Sequence, residues 1–164
     1  MNNISKVTII LFLATITFLL FNVKIKVLYD SSKESILIHK NDNVLMDNSK
    51  KPNGIYVLLG KEDYKDLKNK EVLFNRLLYT NDIQLVNEFV SQCRFKQTGY
   101  DICTCSSSIY ITRNDTIIEK CECCFSENML CLQSPKFGFI KSISSNVLSY
   151  FDTFDDKIGI VKVH

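Results

Sequence analysis

The stretch SSIYITRNDTIIEK, residues 107–120, constrains the fold more than any other part of the chain. Two runs rich in β-branched and aromatic residues flank Arg113-Asn114-Asp115, which is a hairpin signal with a three-residue loop. That loop sets the pairing: Thr112 opposite Thr116, Ile111 opposite Ile117, Ile109 opposite Glu119, Ser107 opposite Cys121, and Cys105 opposite Cys123. Side chains alternate with period two along a strand. One face then carries Cys103, Cys105, Ile109, Ile111, Ile117, Cys121 and Cys123. The other carries Tyr110, Thr112, Ile118, Lys120, Glu122 and Cys124. A two-residue loop, Asn114-Asp115, shifts this register and sets Cys105 against Cys124. The overlapping tripeptide Asn114-Asp115-Thr116 matches the glycosylation pattern; we read it as a turn.

Five of the seven cysteines fall within residues 101–125, on or beside this hairpin. Disulfides are the first expectation, because opposed positions of an antiparallel pair lie within bridging distance. A Cys105–Cys123 bridge locks the open end, and Cys103, Cys121, Cys131 and Cys93 are the further candidates. The alternative is zinc, held by the C-x-C of Cys103 and Cys105 and the C-x-x-C of Cys121 and Cys124. Its first knuckle is one residue short of the usual four-thiolate pattern, and a strict hairpin sends Cys124 to the other face. Plain burial of reduced thiols is a third reading. Thiol-redox catalysis is the last, since Cys121-x-x-Cys124 ends a strand instead of opening a helix.

The N-terminus departs from the rest of the chain. Residues 7–21, VTIILFLATITFLLF, carry no charge, and Asn22 and Val23 extend the run to the short end of a membrane-spanning helix. We read residues 1–23 as a retained single-pass anchor contacting the lipid bilayer through residues 7–23. A small-residue cleavage site is missing after the run, and apolarity on every face argues against an ordinary core helix. Lys24, Lys26 and Lys33 outnumber Lys6 at the ends, which favours the domain inside. The cysteine content favours an oxidising compartment, and on that ground we expect an exported domain.

Residues 24–164 read as one α+β domain. Short strands are expected at KIKVLY, SILIHK and GIYVLL, in the second half of VLFNRLLYT, and at NMLCLQ, KFGFIKSI and KIGIVKV. The charged segment KEDYKDLKNKE fits a helix or a loop. The main helix is expected over residues 82–93, with Asn81 as N-cap, Gln84 three residues on, and Ile83, Val86, Phe89, Val90 and Cys93 on one apolar face. Ser144 and Ser145 precede a short helix at NVLSYF. The expected architecture is therefore an antiparallel meander with one amphipathic helix behind a transmembrane helix.

The chemistry of function is sparse. The net charge is +2, from 20 basic and 18 acidic residues mixed along the chain, so no basic stripe for nucleic acid is present. No G-x-S-x-G, G-x-G-x-x-G or phosphate-binding loop occurs. Neither His39 nor His164 stands in a metal-ligand spacing. Glu62-Asp63 and Asp155-Asp156 read as solvated turns. The function expected from these residues is non-enzymatic binding or interaction, with a protein partner possible in principle, against the zinc or thiol-redox alternative.

Overall fold

The hairpin forms, but its loop has two residues. Strands β7 (Ser107–Arg113) and β8 (Thr116–Ser126) are joined by Asn114 and Asp115, at φ 52° and 63°. Two successive left-handed residues make the turn that matches strand twist, and Asn and Asp tolerate that region. Arg113 pairs with Thr116 and Thr112 with Ile117, but Ile111 pairs with Glu119, leaving Ile118 as the extra residue of a β-bulge. Beyond the bulge, Ile109 faces Cys121 and Ser107 faces Cys123. The expected register is thus displaced twice, once by the loop and once by the bulge.

This computed structural model describes residues 3–30, 35–40, 43–98, 105–126, 129–144 and 146–164. Strands take 47% of the described residues. The other strands are β1 (Val23–Asp30), β2 (Leu37–Lys40), β3 (Asn43–Met46), β4 (Gly54–Leu59), β5 (Arg76–Thr80), β6 (Arg94–Gln97), β9 (Met129–Ser134), β10 (Gly138–Ser142) and β11 (Asp155–Val163). All belong to one sheet, ordered β1-β11-β5-β4-β7-β8-β9-β10-β6-β3-β2. The expected α+β meander with one main helix is therefore corrected to a β-dominated fold. Strands β3 and β6 were not foreseen; each has four residues, too few for a period to show.

The sheet closes on itself at one end. β1 runs parallel to β11 from Val23 to Leu28, then parallel to β8 through Tyr29–Thr116 and Asp30–Ile117. The long β8 shares one edge between two partners: β1 at its start and β9 from Glu122 to Ser126. Six strands, β8-β7-β4-β5-β11-β1, thereby form a closed ring. Leu28, Tyr56, Leu77, Tyr110 and Ile117 make a separate core, with Leu58, Tyr79 and Val161 against it. Every one of the six strands contributes to it, as the filled interior of a small barrel requires. Strands β11 and β5 approach so closely that a Cβ on Gly159 would lie 2.1 Å from Leu77 Cβ.

The larger core lies on the opposite face. It gathers Ile55, Val57, Leu78, Ile109, Ile111, Ile118, Cys121 and Cys123 from the barrel strands with Phe95, Leu132 and Ile140 from the open wing. Helices cover it: α2 (Lys61–Lys68) through Tyr64, α3 (Ile83–Gln92) through Val86, Phe89 and Val90, and α4 (Asn146–Ser149) through Val147. Phe151 sits at its centre, edge-on to Phe125 and Phe154 at 5.8 and 5.4 Å between ring centroids. Helix α3 matches the helix expected at 82–93. Its N-cap is Asp82, which accepts from Gln84 N at 2.9 Å and Leu85 N at 3.4 Å, so Asn81 is released from the capping role.

Helix α1 (Asn3–Asn22) packs none of its apolar residues into either core, and Leu20 is 75% exposed. Its end is tied to β11 by Lys157 Nζ, which donates to Phe21 O at 2.9 Å. Among the described residues no helix is long and apolar enough to cross a membrane. The single-pass anchor over residues 1–23, and the membrane localisation built on it, are corrected accordingly. The uncharged run of fifteen residues rises only about 22 Å, against roughly 30 Å of hydrocarbon, and the chain enters β1 directly at Val23.

A candidate binding site at the barrel rim

The described cysteines are spread over the end of α3, the approach to β7, and strands β8 and β9. Cys93, Cys105, Cys121, Cys123 and Cys131 are thiols, and Cys124 is not one of them. No disulfide joins two of the described cysteines. The expected Cys105–Cys123 bridge fails because the bulge puts Ser107 opposite Cys123, and Cys105 lies beyond the ladder. The hairpin's two strands are paired from Ser107–Cys123 to Arg113–Thr116, with residues of both faces buried. Cys103 lies outside the described residues.

Each thiol has a legible environment. Cys93 is the C-cap of α3, and burial pushes its thiol far up. Cys121 and Cys123 belong to the large core, where burial raises both. Cys121 is raised further by Glu119, to which its Sγ donates at 4.0 Å. Cys105 is half-buried and raised to about 11, by burial first and then by Glu122 and Asp63. Cys131 is buried on β9, opposite Cys124. Thiols held above their ordinary range stay protonated near neutrality, which disfavours a nucleophilic role. Among the described residues no group of three or more His, Cys, Asp or Glu is placed to hold a metal ion.

Two carboxylates that composition assigns to the surface, or to one side of a hairpin, are buried and hydrogen-bonded between elements. Asp63 accepts from Ser106 Oγ at 2.6 Å and Ser107 Oγ at 2.5 Å, joining α2 to β7. Glu119 accepts from Ile36 N and Leu37 N, each at 3.2 Å, and from Ser35 Oγ, joining the start of β2 to β8. Asp156 is likewise engaged, accepting from Tyr64 OH at 2.6 Å and Arg76 Nε at 2.7 Å. Glu62-Asp63 and Asp155-Asp156 are thus not simple solvated turns. These carboxylates act as clamps between elements.

Open polar chemistry is concentrated instead at one rim of the barrel. Lys26 from β1, Asn53 and Tyr56 at the start of β4, Asn81 and Ile83 at the start of α3, and Asn114 and Asp115 from the hairpin turn line a basin of about 680 Å³. That volume lies within the range of small-ligand sites, roughly 300–1,000 Å³. Lys26 Nζ reaches Asp115 Oδ1 at 2.5 Å and stands 4.6 Å from the centroid of the Tyr56 ring. Burial pulls the Lys26 ammonium down, but hydrogen bonds to Asp115 and Tyr56 outweigh it and hold the pKa above the ordinary lysine value. Tyr56 OH donates to Asn81 Oδ1 at 2.7 Å. Asn53 and Asn114 clasp each other: Asn53 Nδ2 donates to Asn114 Oδ1 at 2.7 Å, and Asn114 N donates to Asn53 Oδ1 at 2.9 Å.

The basin rests on an ordered floor. Lys120, Tyr110, Tyr56, Tyr79 and Asp155 are consecutive partners across β8, β7, β4, β5 and β11, so their side chains share one face. Tyr56 and Tyr79 stack at 6.1 Å with 9° between planes, and Lys24 lies 4.9 Å over Tyr79. Gly54 leaves room for the Asn81 carboxamide: a Cβ there would lie 3.0 Å from Asn81 Oδ1 and 3.1 Å from Tyr56 Cε2. None of the basin residues was a candidate from sequence. The signals were present as Lys24 and Lys26 alternating with apolar residues, but period two alone reads them as a solvated face.

No family model matches the chain, and neither a curated protein nor a solved structure matches it.

Proposed function

We propose that this protein is a non-enzymatic binding module that takes a small polar ligand in the basin at the barrel rim. The observation that carries this reading is the preorganised set of hydrogen-bonding groups around Lys26, Asn53, Tyr56, Asn81, Asn114 and Asp115, each fixed by a bond to a neighbour. Groups held in place before a ligand arrives lose little freedom on binding, which leaves more of the interaction as affinity. The supporting chemistry is that the thiols are raised by burial and the buried carboxylates Asp63 and Glu119 are bonded between elements, so these residues serve the fold. The zinc or thiol-redox alternative has no comparable observation in its favour.

The test is a protein-observed NMR screen of full-length, isotopically labelled protein. The probes are methyl pyranosides, amino acids, acetate and inorganic phosphate. The expected result is at least one probe that shifts the side-chain amides of Asn53, Asn81 and Asn114 together. Shifts confined to other surfaces, or no shift with any probe, overturn the assignment.

A further inference from the structure

We infer that the ligand of the rim basin is a neutral polyhydroxyl compound, a saccharide ring. The inference rests on the binding reading above and adds the chemical class. Charge is the first argument. Lys26 and Asp115 are paired at 2.5 Å, so the one cation and the one carboxylate of the basin cancel. Among the residues that line the basin, neither an anion nor a cation meets an unpaired charge. A charged ligand would have to break this pair or lie beside a group of its own sign.

Hydrogen-bonding capacity is the second argument. Three carboxamides line the basin, and a carboxamide both donates and accepts. Asn81 uses its oxygen on Tyr56 OH, which leaves its Nδ2 hydrogens. Asn114 uses its oxygen on Asn53, which leaves its own Nδ2 hydrogens. Asp115 keeps Oδ2 as an acceptor, because Lys26 takes Oδ1. A ligand that fits must therefore accept at several points and also donate, and hydroxyl groups do both. Adjacent hydroxyls of a ring suit the planar amide and carboxylate groups that line the basin.

Shape is the third argument. The basin is lined by six polar residues and by Ile83, which is 52% exposed. One apolar wall beside a polar floor matches a pyranose, which presents a C–H face and a hydroxyl rim. A flat apolar cofactor has no enclosed apolar pocket here to enter.

The experiment titrates the full chain with methyl α- and β-glycosides of glucose, galactose and mannose, with acetate and phosphate as controls. Side-chain amide resonances are the readout. At least one pyranoside is expected to shift Asn81 and Asn114 saturably at millimolar concentration, with no response to acetate or phosphate. Asn81→Ala is expected to weaken that binding at least tenfold, while Lys96→Ala, on β6, leaves it unchanged. A basin that answers to acetate or phosphate and to no pyranoside overturns the saccharide class and leaves the binding site standing. A basin that answers to nothing overturns both. The arms also separate sources: tighter binding of an oligosaccharide ending in the same ring assigns the glycan of a macromolecule, and equal binding assigns the free sugar.

Discussion

Ile117 and Ile118 are neighbours on β8 and pack into different cores: Ile117 into the barrel interior with Tyr110 and Leu28, Ile118 into the large core with Ile109 and Ile111. A regular strand sends neighbours to opposite faces as a matter of course. Here the bulge decides which of the two faces each residue receives, because it resets the alternation between Thr112 and Ile111. Ile117→Ala and Ile118→Ala are each expected to lower stability by about 2–4 kcal/mol. The two side chains enter separate cores but share one stretch of backbone at the bulge, so the double variant measures how far the bulge couples the cores. Denaturant unfolding of the two single variants and the double variant checks both values.

The Glu119 carboxylate accepts from the backbone N–H groups of both Ile36 and Leu37. Glu119→Ala leaves these buried donors without their partner, at a cost of about 1–3 kcal/mol. Amide exchange at Ile36 and Leu37 should quicken, while β4 and β5 stay protected. Unchanged exchange at both amides would show that Glu119 does not hold β2.

Tyr64 gives a pH dependence of definite sign. Burial, then the hydrogen bond to Asp156, raises its phenol from 10.0 to about 12. A group whose folded pKa exceeds its unfolded value contributes stability in full below the unfolded value, and that contribution is lost as pH rises through the folded one. The stability from Tyr64 is therefore complete below pH 10 and gone above about 12. Tyr64→Phe should remove this alkaline step from the stability profile, and ultraviolet titration should lose its highest-pH phenolate.

Thiol reactivity should follow burial. Cys105, half-buried and raised to about 11, is expected to react first with an aromatic disulfide reagent, slowly at neutral pH and faster as pH rises. Cys93, Cys121 and Cys123 are buried and should react only on unfolding. Peptide mapping after native labelling distinguishes them. Rapid native labelling of Cys121 or Cys123 would contradict their place in the large core.

Much of the local structure was legible in the residues themselves. Gly54–Leu59 is the strand its apolar run announces, and Ile83–Gln92 is the helix its 3.6-residue spacing announces. The hairpin was legible as an element, and its register was not. Register depends on whether Asp115 joins Asn114 in the left-handed region and on whether Ile118 bulges, and neither choice alters the alternating pattern of either strand. The candidate site was least legible. The one-residue move of the N-cap from Asn81 to Asp82 turns Asn81 toward Tyr56, and the two residues are 25 apart in sequence.

By itself, then, the sequence determined which short segments extend, which one coils, and that the hairpin turns near Asn114, because period and turn chemistry act over a few residues. Only the tertiary structure decided that β1 meets both β11 and β8, that Cys93, Cys121 and Cys123 fall into one core, and that Lys26 comes to rest against Asp115, 89 residues away. Closing a ring is a pairing between distant strands, and its energy resides in contacts that no local window of residues contains.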